Sequence, residues 1–208
     1  MKREFEMSMV EELNYFLGLQ VNQRRDGIFI SQEKYAKNLV KRFGLDSKKH
    51  TSTPMSSSAK LSIDAAGVDV DPTLYRSTIG SLLYLTASRP VIAFSVGVCA
   101  RFQAAPKESH LTAVKRIICY VNGTSDYGIW YTKDLNECLA RYSDADWAGC
   151  IDDRKSTSGG CFYLGNNLVS WMSKKQNSVS LSTAEVEYIA AGSCCAQLLW
   201  MRKLLHDY

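Results

Sequence analysis

The sequence is poor in the residues that build metal centres and disulfide frameworks. It contains three histidines and four prolines in 208 residues, and the histidines fit no zinc-ligand spacing, so we expect them at the surface. The seven cysteines are an odd number and include no C-x-x-C pair. We therefore expect a reduced intracellular protein whose cysteines act as small apolar residues, with Cys194 and Cys195 packing on a helix rather than binding metal.

The sequence also shows no stretch that predicts a membrane span and no targeting signal. The uncharged apolar stretch 91–100 is about half as long as the ~20 residues that cross a bilayer. The first residues show no signal pattern and no start-of-domain character, which is typical of a piece of something larger. We expect no membrane partner.

What is present is an ordinary globular composition with an uneven charge distribution. The chain is 46% hydrophobic and 22% charged, and its length suits one large or two small domains. The formal charge of +4 is modest. Residues 24–49 carry eight Lys or Arg against three acids, so the positive surplus is concentrated in one segment.

The N-terminal part of the sequence predicts a hairpin followed by a helix. The β-prone runs 15–21 and 28–31 flank an Asp-Gly turn, which is a hairpin signal. The next segment, 32–43, predicts an amphipathic helix with Ser31 as N-cap and Gly44 as its stop.

One face of that helix carries lysines, namely Lys34, Lys37 and Lys41. A lysine stripe is usually only a solvated face. Here it continues into further basic residues beside the hairpin, so phosphate contact and plain solvation are about equally supported.

The rest of the chain divides into an irregular linker, a helical region and a region of strands. Residues 46–73 are rich in Ser, Thr and Pro without apolar periodicity, which is typical of a linker. Apolar spacing then predicts helices over 73–87, 91–102 and 107–121, strands at 127–132, 139–145, 159–164 and 168–173, and a helix from 183 to about 205. Strands followed by a helix packed across them predict the first half of an α/β layer.

Two carboxylates lie where the strand 139–145 and the last helix are expected to meet. Asp144 is near the strand end, and Glu187 shares a helix face with small side chains that would let the helix lie close to the sheet. Ser182 and Glu185 predict a capping box, which gives Glu185 a structural role. Glu187 would meet Asp144 across the packing seam, and paired carboxylates favour a cation with oxygen ligands, magnesium or manganese.

Several motifs in one order resemble a known family. They are YSDADWAG at 142–149, DRKSTSGG at 153–160, VSWMSKKQ at 169–176 and LSTAEVEY at 181–188, preceded by FLGLQV at 16–21 and YRSTIGSLLYLTASRP at 75–90. Together they resemble the Pol polyprotein of copia-class long-terminal-repeat retrotransposons, from the end of reverse transcriptase into the ribonuclease H domain. The resemblance covers nearly the whole chain.

The resemblance implies an α+β or α/β fold in four parts. These are the end of the reverse transcriptase region at 1–45, a linker at 46–73, a helical connection region at 74–125 and a partial ribonuclease H-like sheet with one long helix at 126–208. The hairpin would then be the primer grip and contact the primer-template, with Phe16, Leu17 and Gly18 at its tip. A plain edge hairpin is the alternative that spacing alone favours.

For the last part, the resemblance implies metal-dependent cleavage of RNA in RNA/DNA hybrids. Asp144 matches the first catalytic acid and Glu187 the second, both as ligands of Mg²⁺ or Mn²⁺, and Asp146, on the Asp144 face, is the reserve candidate. Lys174 and Lys175 are expected to contact the hybrid backbone. The implied partners are nucleic acid and the remainder of the polyprotein, in a cytoplasmic virus-like particle or the nucleus.

Two groups of family acids have no counterpart in this sequence. They are the paired polymerase aspartates and the third ribonuclease H acid, which belongs to a strand beyond the last helix. Three hypotheses follow: an enzyme that cuts hybrids with Asp144 and Glu187, a catalytically incomplete nucleic-acid-binding remnant, and a host-adopted structural or interaction protein. The missing acids favour the second hypothesis for this chain taken alone.

Overall fold

Five α-helices and two antiparallel β-sheets form the part of the chain that a computed structural model describes, residues 13–56, 60–133 and 138–207. The strands are β1 (Tyr15–Phe16), β2 (Leu19–Gln23), β3 (Gly27–Ser31), β4 (Gly128–Thr132), β5 (Leu139–Ala145), β6 (Thr157–Leu164) and β7 (Asn167–Lys175). The helices are α1 (Glu33–Arg42), α2 (Pro72–Leu85), α3 (Ala93–Ala100), α4 (Glu108–Gly123) and α5 (Thr183–His206), with a short 3-10 helix at Pro90–Ile92. This mixture confirms an α+β composition, whereas the ribonuclease H likeness and the four-part division stay predictions.

The first sheet has the strand order β1-β2-β3-β4. The strand predicted over 15–21 is interrupted, because Leu17 and Gly18 have φ angles of 49° and 80° and reverse the chain between β1 and β2. Strand β3 pairs with β2 on one side and with β4 on the other, where Phe29 lies opposite Trp130. The strand predicted at 127–132 therefore joins the sheet of the N-terminal hairpin.

Helices α1 to α4 enclose the main hydrophobic core. Its fully buried side chains include Tyr75, Ile79, Leu82, Ile92, Val96, Ile117 and Ile118. Helix α2 begins at Pro72, and the Asp71 carboxylate caps it by accepting the Thr73 N–H at 2.8 Å. The helices predicted from apolar spacing are confirmed to within a few residues, because prolines and caps near each end are local signals.

Helix α1 begins one residue later than predicted. Gln32 is the N-cap, because Ser31 still belongs to β3. The buried Gln32 side chain ties this helix to the end of α2, since it accepts the Ser88 hydroxyl at 2.8 Å and donates to the Tyr84 carbonyl at 3.2 Å. Gly44 follows the helix with a φ of 62°, as a C-terminal stop requires.

The irregular segment between α1 and α2 packs against α4 through a buried histidine. His110 is fully buried, so its predicted surface position was wrong. Its Nδ1 accepts the Lys107 N–H at 2.9 Å, and its Nε2 lies 2.7 Å from the Ser62 carbonyl oxygen. Because Nδ1 is an acceptor, the ring is the neutral tautomer whose Nε2–H donates to Ser62. The ring also stacks on Phe102 at a centroid distance of 4.1 Å.

The second sheet has the strand order β5-β6-β7, and α5 covers one of its faces. Phe162 of β6 is fully buried on that side, as are Ala190 and Cys194 of the helix. The opposite face turns toward α3 and the end of α2, where the Trp171 indole N–H donates to the Thr86 carbonyl at 3.2 Å. Among the described residues, no helix is both long and apolar enough to cross a bilayer.

Asn167 connects the two sheets. This buried residue at the start of β7 donates from Nδ2 to the Thr132 carbonyl at 3.0 Å and accepts the Thr132 N–H at 2.7 Å. Its side-chain amide thus pairs with the end of β4 as a neighbouring peptide would. The sequence placed Asn167 in the turn after β6, whereas the turn consists of Gly165 and Asn166.

Candidate functional site

Asp144 lies near the end of β5, on the sheet face opposite α5. Successive strand residues alternate between faces. Arg141, three positions earlier, contacts the helix by donating to Cys195 Sγ at 2.9 Å and to the Ala191 carbonyl at 3.5 Å, so Asp144 points to the other side. Asp144 is exposed, and its Oδ1 accepts the Ala145 N–H at 2.9 Å.

Glu187 approaches the same point from α5. The buried residues of this helix are Val186, Ala190 and Cys194, which leaves Glu187 on an exposed flank. From there its Oε1 accepts the Ala145 N–H at 3.3 Å. Glu187 therefore reaches the sheet around its edge, because the seam between helix and sheet is filled by small buried side chains.

The amide of Ala145 brings the two predicted carboxylates together. The Asp146 N–H donates across to the Thr157 carbonyl at 3.1 Å, so the alternating ladder geometry points the Ala145 N–H out of the sheet edge. One oxygen of Asp144 and one of Glu187 lie within hydrogen-bond distance of that N–H. The second oxygen of each carboxylate makes no hydrogen bond to any other described residue.

The donors of this pair suit a hard divalent cation, because carboxylate oxygens are the ligands that Mg²⁺ and Mn²⁺ prefer. Their number is small. Within the described ranges, no group of three or more His, Cys, Asp or Glu is arranged to hold a metal ion. The chemistry of the donors therefore fits one cation, whereas their number does not fit a two-metal centre.

Asp146, the reserve candidate, is engaged by the loop between β5 and β6. Its Oδ1 accepts the Thr157 N–H. A Cβ built on Gly149 would lie 1.8 Å from its other carboxylate oxygen, so a side chain at position 149 would force the Asp146 carboxylate to shift. The carboxylate thus has a structural task that does not involve the Ala145 amide.

Ser182 and Glu185 organise the start of α5. The Ser182 hydroxyl accepts the Glu185 N–H at 3.2 Å, as predicted for a capping box. The Glu185 carboxylate accepts the Leu181 N–H at 2.7 Å rather than that of Ser182, a shift of one residue from the prediction. Glu185 therefore belongs to the helix start, and Glu187 is the glutamate that meets Asp144.

The predicted hairpin tip is the turn between β1 and β2. Phe16 and Leu17 are 55% and 79% exposed. Tyr84 of α2 holds this turn, because its hydroxyl donates to the Leu17 carbonyl at 3.1 Å and would lie 1.8 Å from a Cβ built on Gly18. Sequence reasoning missed Tyr84, which reads as one more apolar residue of a helix. The tip thus presents apolar side chains on a fixed turn.

The lysines of α1 form an exposed stripe. Lys34, Lys37 and Lys41 all face solvent. Lys37 also pairs with Glu33 one helical turn away, at 2.5 Å. Exposed pairs of this type are weak, so all three ammonium groups are open to an external anion.

Lys174 and Lys175 differ in their surroundings. Lys174 is exposed at the end of β7, whereas Lys175 Nζ lies 2.7 Å from Asp153 Oδ2 and 3.3 Å from Cys150 Sγ. The hydrogen bond from Lys175 lowers the pKa of Asp153 to about 2. Of the two lysines, Lys174 is the one that has no ion pair among the described residues.

The chain is similar over its whole length to transposon polyproteins of plants. It is 40% identical over 207 residues to the retrovirus-related Pol polyprotein from transposon RE1 of Arabidopsis thaliana, covering 100% of this chain and 14% of that protein. It is 35% identical over 216 residues to the corresponding polyprotein from transposon TNT 1-94 of Nicotiana tabacum, covering 100% of this chain and 16% of that protein. The chain therefore spans only 14 to 16% of the length of these relatives.

A shorter relative has nearly the same extent as this chain. The uncharacterized mitochondrial protein AtMg00810 of Arabidopsis thaliana is 36% identical over 196 residues, which are 94% of this chain and 81% of that protein. No protein-family model matches the chain, and no solved structure matches it.

Proposed function

Since this chain belongs to the family of copia-type retrotransposon Pol polyproteins, we propose that it binds RNA/DNA hybrids and contributes Asp144 and Glu187 to hydrolysis of their RNA strand. The polyprotein relatives are much longer, so this chain would act as one segment of a larger protein. The remainder of the polyprotein is its natural partner.

The observation that carries the proposal is the meeting of two carboxylates at one amide. Asp144 and Glu187 come from different elements, and each accepts the Ala145 N–H with one oxygen. That hydrogen bond orients both groups without burying them. Their second oxygens are left for an external ligand at an open sheet edge.

That geometry supports a role for both residues in metal-dependent hydrolysis. A divalent cation, when bound, supplies an activated water and stabilises the leaving oxygen. Asp144 and Glu187 would hold such a cation with the oxygens that do not accept the Ala145 N–H. The exposed lysines of α1, together with Lys174, attract the phosphate backbone and position it.

The test is magnesium-dependent cleavage of labelled RNA annealed to DNA. We expect the chain to release RNA fragments, and Asp144→Asn and Glu187→Gln each to slow the reaction by about 100-fold or more, since each substitution removes several kcal/mol of transition-state stabilisation. Asp207→Asn, at the exposed end of α5, is the matched control and should cleave at the wild-type rate. Cleavage that survives both substitutions would refute the proposed roles.

A second candidate function is binding of nucleic acid without hydrolysis. It is favoured by the number of donors, because two carboxylates do not complete a two-metal centre. If this second function is correct, the chain used in the cleavage assay should bind the hybrid in a salt-sensitive way and leave the RNA intact. Binding through the α1 stripe should then weaken when Lys34, Lys37 and Lys41 are replaced by Gln, and should not depend on Asp144.

A further inference from the structure

A cleft runs between α3 and the sheet face that α5 leaves uncovered. One part of it, about 420 Å³, is bordered by Tyr142, Asp144 and Phe94. An adjoining part of about 400 Å³ lies between α3 and the loop that follows β5. Phe94, Asp146 and Thr157 border both parts, so the two form one cleft that begins at Asp144. Each part has the size of a typical small-ligand site.

The aromatic side chains of this cleft are open to solvent. Phe94 is 44% exposed, Trp147 52% and Tyr142 65%, although large aromatic side chains are mostly covered in folded proteins. Neither Phe94 nor Trp147 stacks on another ring in the described part of the chain. Trp171, held by its bond to the Thr86 carbonyl, forms a fixed wall. Flat aromatic faces are therefore available to a planar ligand.

Two cationic side chains and one carboxylate border the second part of the cleft. Arg101, just after α3, donates to Thr157 Oγ1 at 2.8 Å, which fixes its guanidinium at the wall. Lys60 is exposed and borders the same part. Asp146 is the acid of this part, and its carboxylate is turned to the Thr157 N–H. Both cations therefore border the part of the cleft between α3 and the loop after β5, and neither borders the part at Asp144.

We infer that this cleft binds an unpaired strand of nucleic acid, with bases stacked on Phe94 and Trp147 and phosphate at Arg101 and Lys60. Surfaces that bind single strands combine aromatic faces with cations that follow the backbone. An apolar peptide would use the aromatic walls but would leave the fixed guanidinium without an anion. The inference rests on the proposed function and deepens it, because the strand that enters the cleft continues from the hybrid held at Asp144.

The test measures binding of a fluorescently labelled oligothymidylate to the full chain. Fluorescence anisotropy reports the binding, and magnesium is left out. We expect Trp147→Ala to weaken binding roughly 5- to 150-fold, the range for losing one stacked base, and Phe94→Ala to act in the same direction. Trp200→Ala is the matched control, because Trp200 is 57% exposed on α5 and lies outside the cleft. Arg101→Gln should reduce the slope of log Kd against log salt by about 0.7, as expected for one phosphate contact.

Each result decides the inference independently of cleavage. Loss of affinity in the Trp147 and Phe94 variants with an unchanged Trp200 variant supports it, even if no variant cuts RNA. Binding that is indifferent to Trp147 and Phe94 overturns it. Binding of the apolar dye ANS without any binding of the oligonucleotide overturns it as well, and identifies an apolar groove instead.

Discussion

His110 shows how one buried polar side chain can hold distant segments together. Its two ring nitrogens connect the first turn of α4 to the Ser62 carbonyl in the irregular segment. The sequence indicated only a histidine without metal spacing, and surface exposure was the reasonable expectation. Its burial depends on Phe102 and Ser62, which no local pattern places beside it.

Replacing His110 by Phe keeps a ring for Phe102 and removes both ring nitrogens. The Lys107 N–H and the Ser62 carbonyl then lose their partners, and each unsatisfied group costs roughly 1 to 3 kcal/mol. We expect the free energy of unfolding to fall by about 2 to 6 kcal/mol in urea titrations. His206→Phe, at an exposed position, should change it by less than about 0.5 kcal/mol. Equal effects of the two substitutions would contradict this role.

The ion pair of Asp153 with Lys175 should make a small contribution that depends on pH. The folded state lowers the pKa of Asp153 to about 2, below its ordinary value of about 3.9. The contribution is therefore complete above the ordinary pKa and is lost as the pH falls toward 2. Because the pair is largely exposed, Asp153→Asn should lower the unfolding free energy by less than about 1 kcal/mol at neutral pH. Urea titrations should show this difference shrinking on acidification, and a difference that grows would exclude the assigned cause.

Helix α5 shows what the sequence of an element determines by itself. Its start at Thr183 and its length were predicted, because Ser182 caps it and a long run without Pro follows. The hairpin of β2 and β3 was also predicted from a local signal, its Asp-Gly turn. The break at Leu17 and Gly18 was not, since it depends on the contact with Tyr84 of a distant helix.

The cap of α5 can be tested with a pair of serines. Ser182→Ala removes the acceptor of the Glu185 N–H, and loss of an N-cap costs about 1 kcal/mol. Ser193→Ala lies mid-helix at an exposed position and should be neutral or slightly stabilising, because Ala favours helix more than Ser. Thermal unfolding of both variants measures the difference. A Ser193 variant that is as destabilised as the Ser182 variant would argue against the cap.

The assembly of the whole chain depends on contacts that join distant segments. Strand β4 follows the helices in sequence but pairs with β3, and Asn167 of β7 then binds Thr132 of β4. Periodicity predicts that these strands exist but not which strands they pair with. The candidate site is similar. Its two acids were predicted from the motifs, whereas the Ala145 amide where they meet depends on β5 lying at a sheet edge.

Asn167 provides a test of how the two sheets are held together. Asn167→Ala removes both hydrogen bonds to Thr132, and we expect the unfolding free energy to fall by about 2 kcal/mol, since each net hydrogen bond contributes about 1 kcal/mol. Asn166→Ala, at the exposed neighbouring turn position, should have little effect. Urea titrations would check the result, followed once by circular dichroism at 222 nm and once by tryptophan fluorescence. An unchanged midpoint for the Asn167 variant would show that the sheets do not need this link.

The contact between Tyr84 and Gly18 has an evolutionary consequence. The Tyr84 hydroxyl occupies the space in which any side chain at position 18 would begin, and the backbone there has a φ that favours glycine. A shorter residue at 84 removes the steric conflict but leaves the φ at 18 unchanged. Among related chains, glycine should therefore stay at 18 even where 84 varies, and asparagine, which tolerates a positive φ, should appear at 18 only where 84 has become shorter than tyrosine.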